Sequence, residues 1–338
     1  MQIRGMKIFV TGGAGFIGSH MVESLVRQGA KVKVYDNFSS GLLENLGEVA
    51  QDVEIVTGDI LDTARLEKEM KGFEMVSHQA AQLEITRCLD NPLHDLEQNT
   101  IGTLNVLNAA LQNGVVKVVN ASSACTYGQA RYVPEDEEHP QVPNWAYGVS
   151  KLAAERYGRV FAETHGMSVV SLRYAIIYGE REWYGRVLTI FLKRLLAGLP
   201  PVVFGEGAQE RDFTYVGDVV RLHERCLELD EIRNESFNVS TGVATSVRDL
   251  ALAVAELARQ ENRSIGDIVF EAVSVGGRSQ LVENERLRLP QELEKMVLSP
   301  EKAGRLLGWK PEIMLKEGLR REFAWLATHS GRWAKMSY

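Results

Sequence analysis

Between residues 11 and 18 the chain reads Thr-Gly-Gly-Ala-Gly-Phe-Ile-Gly, and no other segment restricts its fold as strongly. An apolar run, Lys7-Ile8-Phe9-Val10, precedes it. A helical pattern follows, with Ile17, Met21, Leu25 and Val26 on one face and Gly29 placed as a C-terminal cap. Glycines at these positions permit a tight turn and a close approach of phosphates to the backbone. The helix behind them presents unpaired N–H groups and the positive end of its dipole. The next strand-like run, Lys31 to Asp36, ends in a carboxylate 18 residues after Gly18. A carboxylate there accepts both hydroxyls of an adenosine ribose and repels a 2′-phosphate. A plain turn accounts for the glycines alone; the glycines and Asp36 together predict a site for NAD.

Strand and helix signals keep alternating after this unit. Runs at 53–56, 75–78, 116–119 and 169–172 read as strands, and long helical patterns lie near 94–113 and 148–164. This rhythm predicts an α/β fold, a Rossmann-type doubly wound parallel sheet with helices on both faces. After residue 176 the rhythm changes. Helices are expected near 187–197, 217–229 and 246–259, short strands at 202–204 and 237–239, and a helix started by Ser299-Pro300-Glu301 and closed by Gly308. The expected organisation is an NAD-binding domain over 1–175, with 212–245 returning to it. Residues 176–211 and 246–338 would form a smaller α/β substrate-binding lobe.

Composition excludes several classes. With 45% hydrophobic and 25% charged residues the chain is neither disordered nor low in complexity. No run of 18 uncharged apolar residues predicts a membrane span, and no signal-peptide core precedes the first strand. The net charge of −7 and the lack of a basic run argue against nucleic-acid binding. Three cysteines, Cys88, Cys125 and Cys226, suit a reducing, cytoplasmic setting. The seven histidines show no metal-ligand spacing, so no metal site is expected. Seventeen of the 25 arginines follow residue 175. An anionic ligand in that lobe, or a surface laced with ion pairs, would explain the skew.

Tyr147 and Lys151 stand four apart at a helix start, on one face. An ammonium near a phenol lowers its pKa, and a tyrosinate then exchanges a proton with a sugar hydroxyl as hydride moves to or from nicotinamide. Ser122 and Ser123 follow the fifth strand at the sheet's C-terminal edge, where open α/β sheets bind ligands. Each signal alone is common.

With these residues in place the sequence resembles the extended short-chain dehydrogenase/reductases, in the nucleotide-sugar epimerase/dehydratase group. The matches include TGGAGFIG at 11–18, YDN at 35–37, HQAA at 78–81, SSACTYG at 122–128, YGVSK at 147–151, LRYAIIYG at 172–179 and FGEGAQERDFTYVGD at 204–218. The resemblance implies that Gly12, Gly15, Phe16 and Ile17 hold the pyrophosphate of NAD, Asp36 and Asn37 the adenosine ribose, and Asp59 and Ile60 the adenine. It places Ala80, Ala81, Gln82 and Ser122 along the cofactor, with Asn99 behind them and Tyr174 against the nicotinamide. It makes Tyr147 the base, Lys151 the ligand of the nicotinamide ribose, and Ser123 the partner of the substrate hydroxyl. It assigns a nucleotide-diphosphate sugar to Arg211 and to Arg288, with Arg286 a rival, and it admits Glu84 to the substrate pocket.

Departures from the family pattern narrow the activity. Where 4,6-dehydratases carry an Asp-Glu pair, this chain has Ala124-Cys125, so C4 epimerisation of a UDP-sugar is the favoured expectation. Cys125 keeps an alternative open, a dehydratase or 3,5-epimerase that uses the thiol as acid/base. It also suits a small buried hydrophobe. A catalytically silent NAD-binding regulator is the alternative from another class. Ile176 replaces the family's usual Asn and Glu180 its usual Pro. Relatives form homodimers through the two long helices, and Leu104, Val106 and Leu107 suit either such a face or an intrachain core.

Overall fold

Seven parallel strands form the central sheet: β1 (Lys7–Thr11), β2 (Lys31–Asp36), β3 (Glu54–Thr57), β4 (Met75–His78), β5 (Lys117–Ser123), β6 (Ser168–Tyr174) and β7 (Ser236–Val239). The structure, a computed structural model, describes residues 2–182, 184–282 and 286–333. The order across the sheet is β3-β2-β1-β4-β5-β6-β7, every pairing parallel. The direction of strand addition reverses between β1 and β4, which opens a crevice above their C-terminal ends. β5 and β6 are buried along their whole length, as strands covered on both faces must be.

The helices follow the sequence pattern closely. Phe16–Arg27 packs its apolar face on the sheet, and Ala146–His165 ends at Gly166 in the left-handed conformation, as a glycine cap permits. The expected helix over 94–113 is more complex. It starts with Pro92–Asp95, widens to a π-turn over Leu96–Ile101 and resumes as Gly102–Gln112. Thr63–Met70, capped by the Asp62 side chain on Arg65 N–H, has too weak an apolar stripe to be read in advance. Ser299 accepts the Glu301 N–H but stands one residue before the cap, which is Pro300.

Smaller sheets follow, and two of them put residues into the crevice. Ile176–Tyr178 pairs with Phe213–Tyr215, Val202–Phe204 with Val269–Glu271, and Glu210–Arg211 lies between Thr245–Ser246 and Lys295–Met296. β7 docks on the far edge of the main sheet beside β6. Val106 and Leu107 are fully buried within the chain, which assigns them to the intrachain core. No described helix is long and apolar enough to cross a membrane. All three cysteines are buried and free.

One ion pair joins the layers. Arg173 on β6 gives Nε to Glu155 Oε2 at 3.1 Å and Nη2 to Oε1 at 2.5 Å, both side chains nearly dry. Ser122 of β5 and Ser236 of β7 donate to the same carboxylate at 2.9 and 3.2 Å. These contacts hold Glu155 ionised against burial. Breaking a buried pair strands the surviving charge. Glu155→Gln is therefore expected to lower the unfolding free energy by about 3–5 kcal/mol. Urea denaturation checks this as a lower midpoint at unchanged slope.

Candidate active site

The crevice holds a cavity of about 750 Å³ that runs from the glycine-rich turn to the smaller sheets. Its glycine end is tightly built. A Cβ on Gly12 would lie 2.6 Å from Ala80 N, and one on Gly18 2.0 Å from Gly12 O, so the turn tolerates no side chain there. Gly15, Phe16 and Ile17 line the cavity at the start of the following helix. Asp36 is buried at the end of β2. It accepts Ala14 N–H at 2.9 Å and Phe38 N–H at 2.8 Å, which oppose the upward pull of burial on its carboxyl. Asn37 donates to Asp59 at 2.9 Å, and Ile60 follows at the same rim. Backbone donors at a helix start, a carboxylate with lone pairs remaining and a side-chain-free cradle fit a dinucleotide.

The middle of the cavity is lined by Ala80, Ala81 and Gln82. Asn99 stands behind them, outside the lining. Its amide donates to Gln82 O at 2.8 Å and to Asp95 at 2.7 Å, and its oxygen accepts Gln82 N–H at 2.9 Å. The π-turn aims Asn99 at this loop, a use to which such turns are often put. Ser122 lines the wall while its hydroxyl is bonded to Glu155. Tyr174 donates to Gln79 at 3.2 Å.

Tyr147, Lys151, Ser123 and Cys125 meet at the cavity floor. Ser123 ends β5, and its Oγ accepts Cys125 N–H at 3.1 Å, so the serine caps the short turn that carries the cysteine. Lys151 extends from the next helix and donates Nζ to Ala121 O at 2.9 Å. The expected lowering of the Tyr147 pKa is not what this geometry gives. Burial pushes the phenol well above its ordinary value near 10, and Cys125 adds to this; Arg186 and Ser123 oppose it. Lys151 is itself pulled down to about 8 by burial, against Asp95 and Cys88. Burial likewise raises the Cys125 thiol, which packs with Trp145, Met296 and Leu298.

The substrate end shows one clear difference from expectation. Arg211 lines the cavity, and its Nη1 donates to the Glu210 and Glu294 carbonyls. Arg288 does not line it; its guanidinium bonds Glu292 and Val273 O. Arg286 lines the cavity instead and donates to Gly185 O at 2.6 Å. The irregular chain around 286–288 hid this alternation from the spacing argument. Glu84 lines the wall, buried and paired with Arg87. Glu180 turns away to accept the Tyr215 hydroxyl, so its departure from the family pattern leaves the cavity untouched. Glu182 and Arg186 also line the cavity, 3.2 Å apart, with Glu182 raised to about 7 by burial. No motif announced them. Among the described residues no group of three or more His, Cys, Asp or Glu side chains is poised to hold a metal.

A doubly wound parallel sheet with a glycine-rich turn at one end of its crevice and a Tyr–Lys pair at the other defines a short-chain dehydrogenase/reductase. Residues 9–322 match the family described as GDP-mannose 4,6 dehydratase. The chain belongs to that family of extended short-chain dehydrogenase/reductases, enzymes that act on nucleotide sugars. It is 34% identical to a UDP-glucose 4-epimerase of Mycolicibacterium smegmatis over 94% of this chain and 97% of that protein. It is 29% identical to a dTDP-glucose 4,6-dehydratase of Actinoplanes over 97% and 100%. Among solved structures, the Thermus thermophilus UDP-glucose 4-epimerase complexed with NAD superposes with a TM-score of 0.82 at 35% identity, covering 95% of this chain and 98% of that one.

The Lys151 shift has a consequence for stability. Between about pH 8 and 10.5 the unfolded chain holds the Lys151 proton and the folded chain releases it, so this group makes stability rise with pH. Below pH 8 the buried charge costs the fold about 3 kcal/mol, at 1.36 kcal/mol per unit. Lys151→Met is expected to be the more stable protein at pH 7, with the gap closing through that window in parallel denaturation series.

Proposed function

We propose that the protein is an NAD-dependent 4-epimerase of a UDP-sugar that works through a transient 4-keto intermediate. The observation that carries this reading is the cavity floor. Tyr147, Ser123 and Lys151 meet there, while the two positions where dehydratases hold acid and base are Ala124 and a Cys125 packed among apolar side chains. Gly12, Gly15, Phe16 and Ile17 would hold the pyrophosphate, Asp36 and Asn37 the adenosine ribose, Asp59 and Ile60 the adenine, and Lys151 the second ribose. NAD, when bound, accepts a hydride from C4 and returns it. Tyr147 takes the proton of the C4 hydroxyl and gives it back, with Ser123 sharing that proton. Burial keeps the Tyr147 phenol protonated in the free protein, so the first step requires it to give up that proton. It acts as a base only once ligands fill the cavity. Arg211 and Arg286 would grip the diphosphate, and the sugar would swing about that anchor to present its other face.

The thiol reading finds less support. Burial keeps the Cys125 sulfur protonated at neutral pH, so little thiolate is present to abstract a proton. Incubation with UDP-glucose, UDP-glucuronate, UDP-N-acetylglucosamine and their C4 epimers, followed by chromatography, tests the proposal. At least one pair should interconvert, Tyr147→Phe should lower kcat about 10²–10⁴-fold, and Cys125→Ala should keep most of it. Deuterium uptake at C3 or C5, lost in Cys125→Ala, would turn the assignment to the thiol chemistry.

We further propose a homodimer through the two long helices. Leu93, Leu96 and Ile101 on one, and Val149, Tyr157 and Val160 on the other, are exposed apolar side chains. Light scattering should give twice the chain mass, and Val160→Asp with Leu93→Asp should give one.

A further inference from the structure

The turn Ser330–Trp333 packs on the preceding helix, Leu315–Thr328, and reaches the glycine end of the crevice. Its Arg332 lines the cavity together with Gly15, Phe16 and Leu42. Arg332 Nη2 donates to Asn45 Oδ1 at 2.5 Å, and the Asn45 amide donates to Ala14 O at 2.7 Å. Two hydrogen bonds thus connect the C-terminal turn to the turn that would face phosphates. A platform holds the arginine in place. Its guanidinium lies 5.7 Å from the Trp325 ring, which stacks on His329 at 4.6 Å.

An ordinary surface ion pair does not account for this arrangement. The nearest carboxylate, on Glu44, is 3.5 Å away and 72% exposed, whereas the Arg332 side chain is only 15% exposed. Exposed pairs of that kind are worth little. Arg181 lies on the same side, donating to Ser19 Oγ at 3.3 Å, and it opposes the charge on Arg332 rather than balancing it. Arg181 is answered by the Glu23 carboxylate, whereas Arg332 at the same helix start has, among the described residues, only the exposed Glu44. The segment from Gly12 to Ile17 contains no cationic side chain. A dianion over that turn meets backbone donors from the turn and charge from elsewhere in the chain.

We propose that Arg332 is a cofactor-binding residue and that the C-terminal turn is a clasp on the pyrophosphate of NAD, which keeps the dinucleotide resident between turnovers. This rests on the NAD part of the reading above and not on the identity of the sugar. Epimerisation returns the hydride to the sugar that gave it, so the cofactor need not leave. A clasp that slows its exit costs such a cycle nothing, whereas an enzyme that had to exchange spent cofactor at each turnover would be slowed.

Calorimetric titration of NAD into the stripped protein tests the clasp. Arg332→Gln should raise the dissociation constant at least tenfold and lose NAD on gel filtration, while the KM for the UDP-sugar at saturating NAD stays unchanged. Arg332→Lys should recover part of the loss, since it restores charge without the planar fork. The wild-type affinity should also fall more steeply with salt than that of Arg332→Gln. Equal affinity in Arg332→Gln and wild type overturns the clasp and leaves the cofactor assignment standing. A wild-type protein that binds no NAD overturns both.

Discussion

The carboxylate of Glu155 is the point on which the architecture turns. It receives two nitrogens of Arg173, the hydroxyl of Ser122 and the hydroxyl of Ser236. Three adjacent strands and the helix that carries Tyr147 and Lys151 are thereby fixed to one buried anion. Inside a protein a charge of this kind is tolerated only when its bonds are complete. Here completeness requires β5, β6, β7 and the helix to hold one relative placement. That placement sets where Ser123 ends its strand and where the tyrosine and lysine enter the crevice. Tyr147, Lys151 and Ser123 take their placement from this interaction a few residues behind them, and Ser123 adds contacts to Cys125 and Tyr147.

Burial sets the electrostatics of the floor in the same direction for every group. The phenol, the thiol and the ammonium are all pushed toward their neutral forms. On the proposed reading, the reactive end holds Lys151, still charged at neutral pH, and the diphosphate would lie where Arg211 and Arg286 line the cavity. Binding and chemistry are therefore separated in space. On that reading the anionic diphosphate would meet arginines, and the sugar would meet groups whose protonation responds to what lies against them. Hydrogen bonds in such a dry site are stronger than in water, which on the proposed reading would favour proton sharing between Ser123 and Tyr147 over release to solvent.

Sequence reading captured what depends on local chemistry. The glycine turn, Asp36 at a strand end, and the four-residue spacing of Tyr147 and Lys151 are rules about adjacent positions, and all of these residues line the same cavity. What depends on distant parts of the chain stayed hidden. Nothing near Glu155 announces Arg173 as its partner, and nothing near Asn99 announces a widened helical turn. Arg286 and Arg288 alternate sides of an irregular segment that has no period to count. Val106 and Leu107 have the same pattern whether they face a partner subunit or the sheet, and only the fold decides. At Tyr147 the spacing shows that an ammonium is near but not how dry the phenol becomes.

The edge position of β7 shapes how the protein is made. β6 is apolar and needs neighbours on both sides, yet its outer partner is Ser236–Val239, some sixty residues later in the chain. During synthesis the first six strands can pair as they emerge, but β6 remains an open edge until that late segment clears the ribosome. An unpaired apolar strand is a template for pairing with another chain. Parallel pairing between distant segments is also slow to form. The interval between translation of Tyr174 and Val239 is when the nascent chain is most exposed to misassembly, and when a chaperone that covers strand edges has the most to offer it.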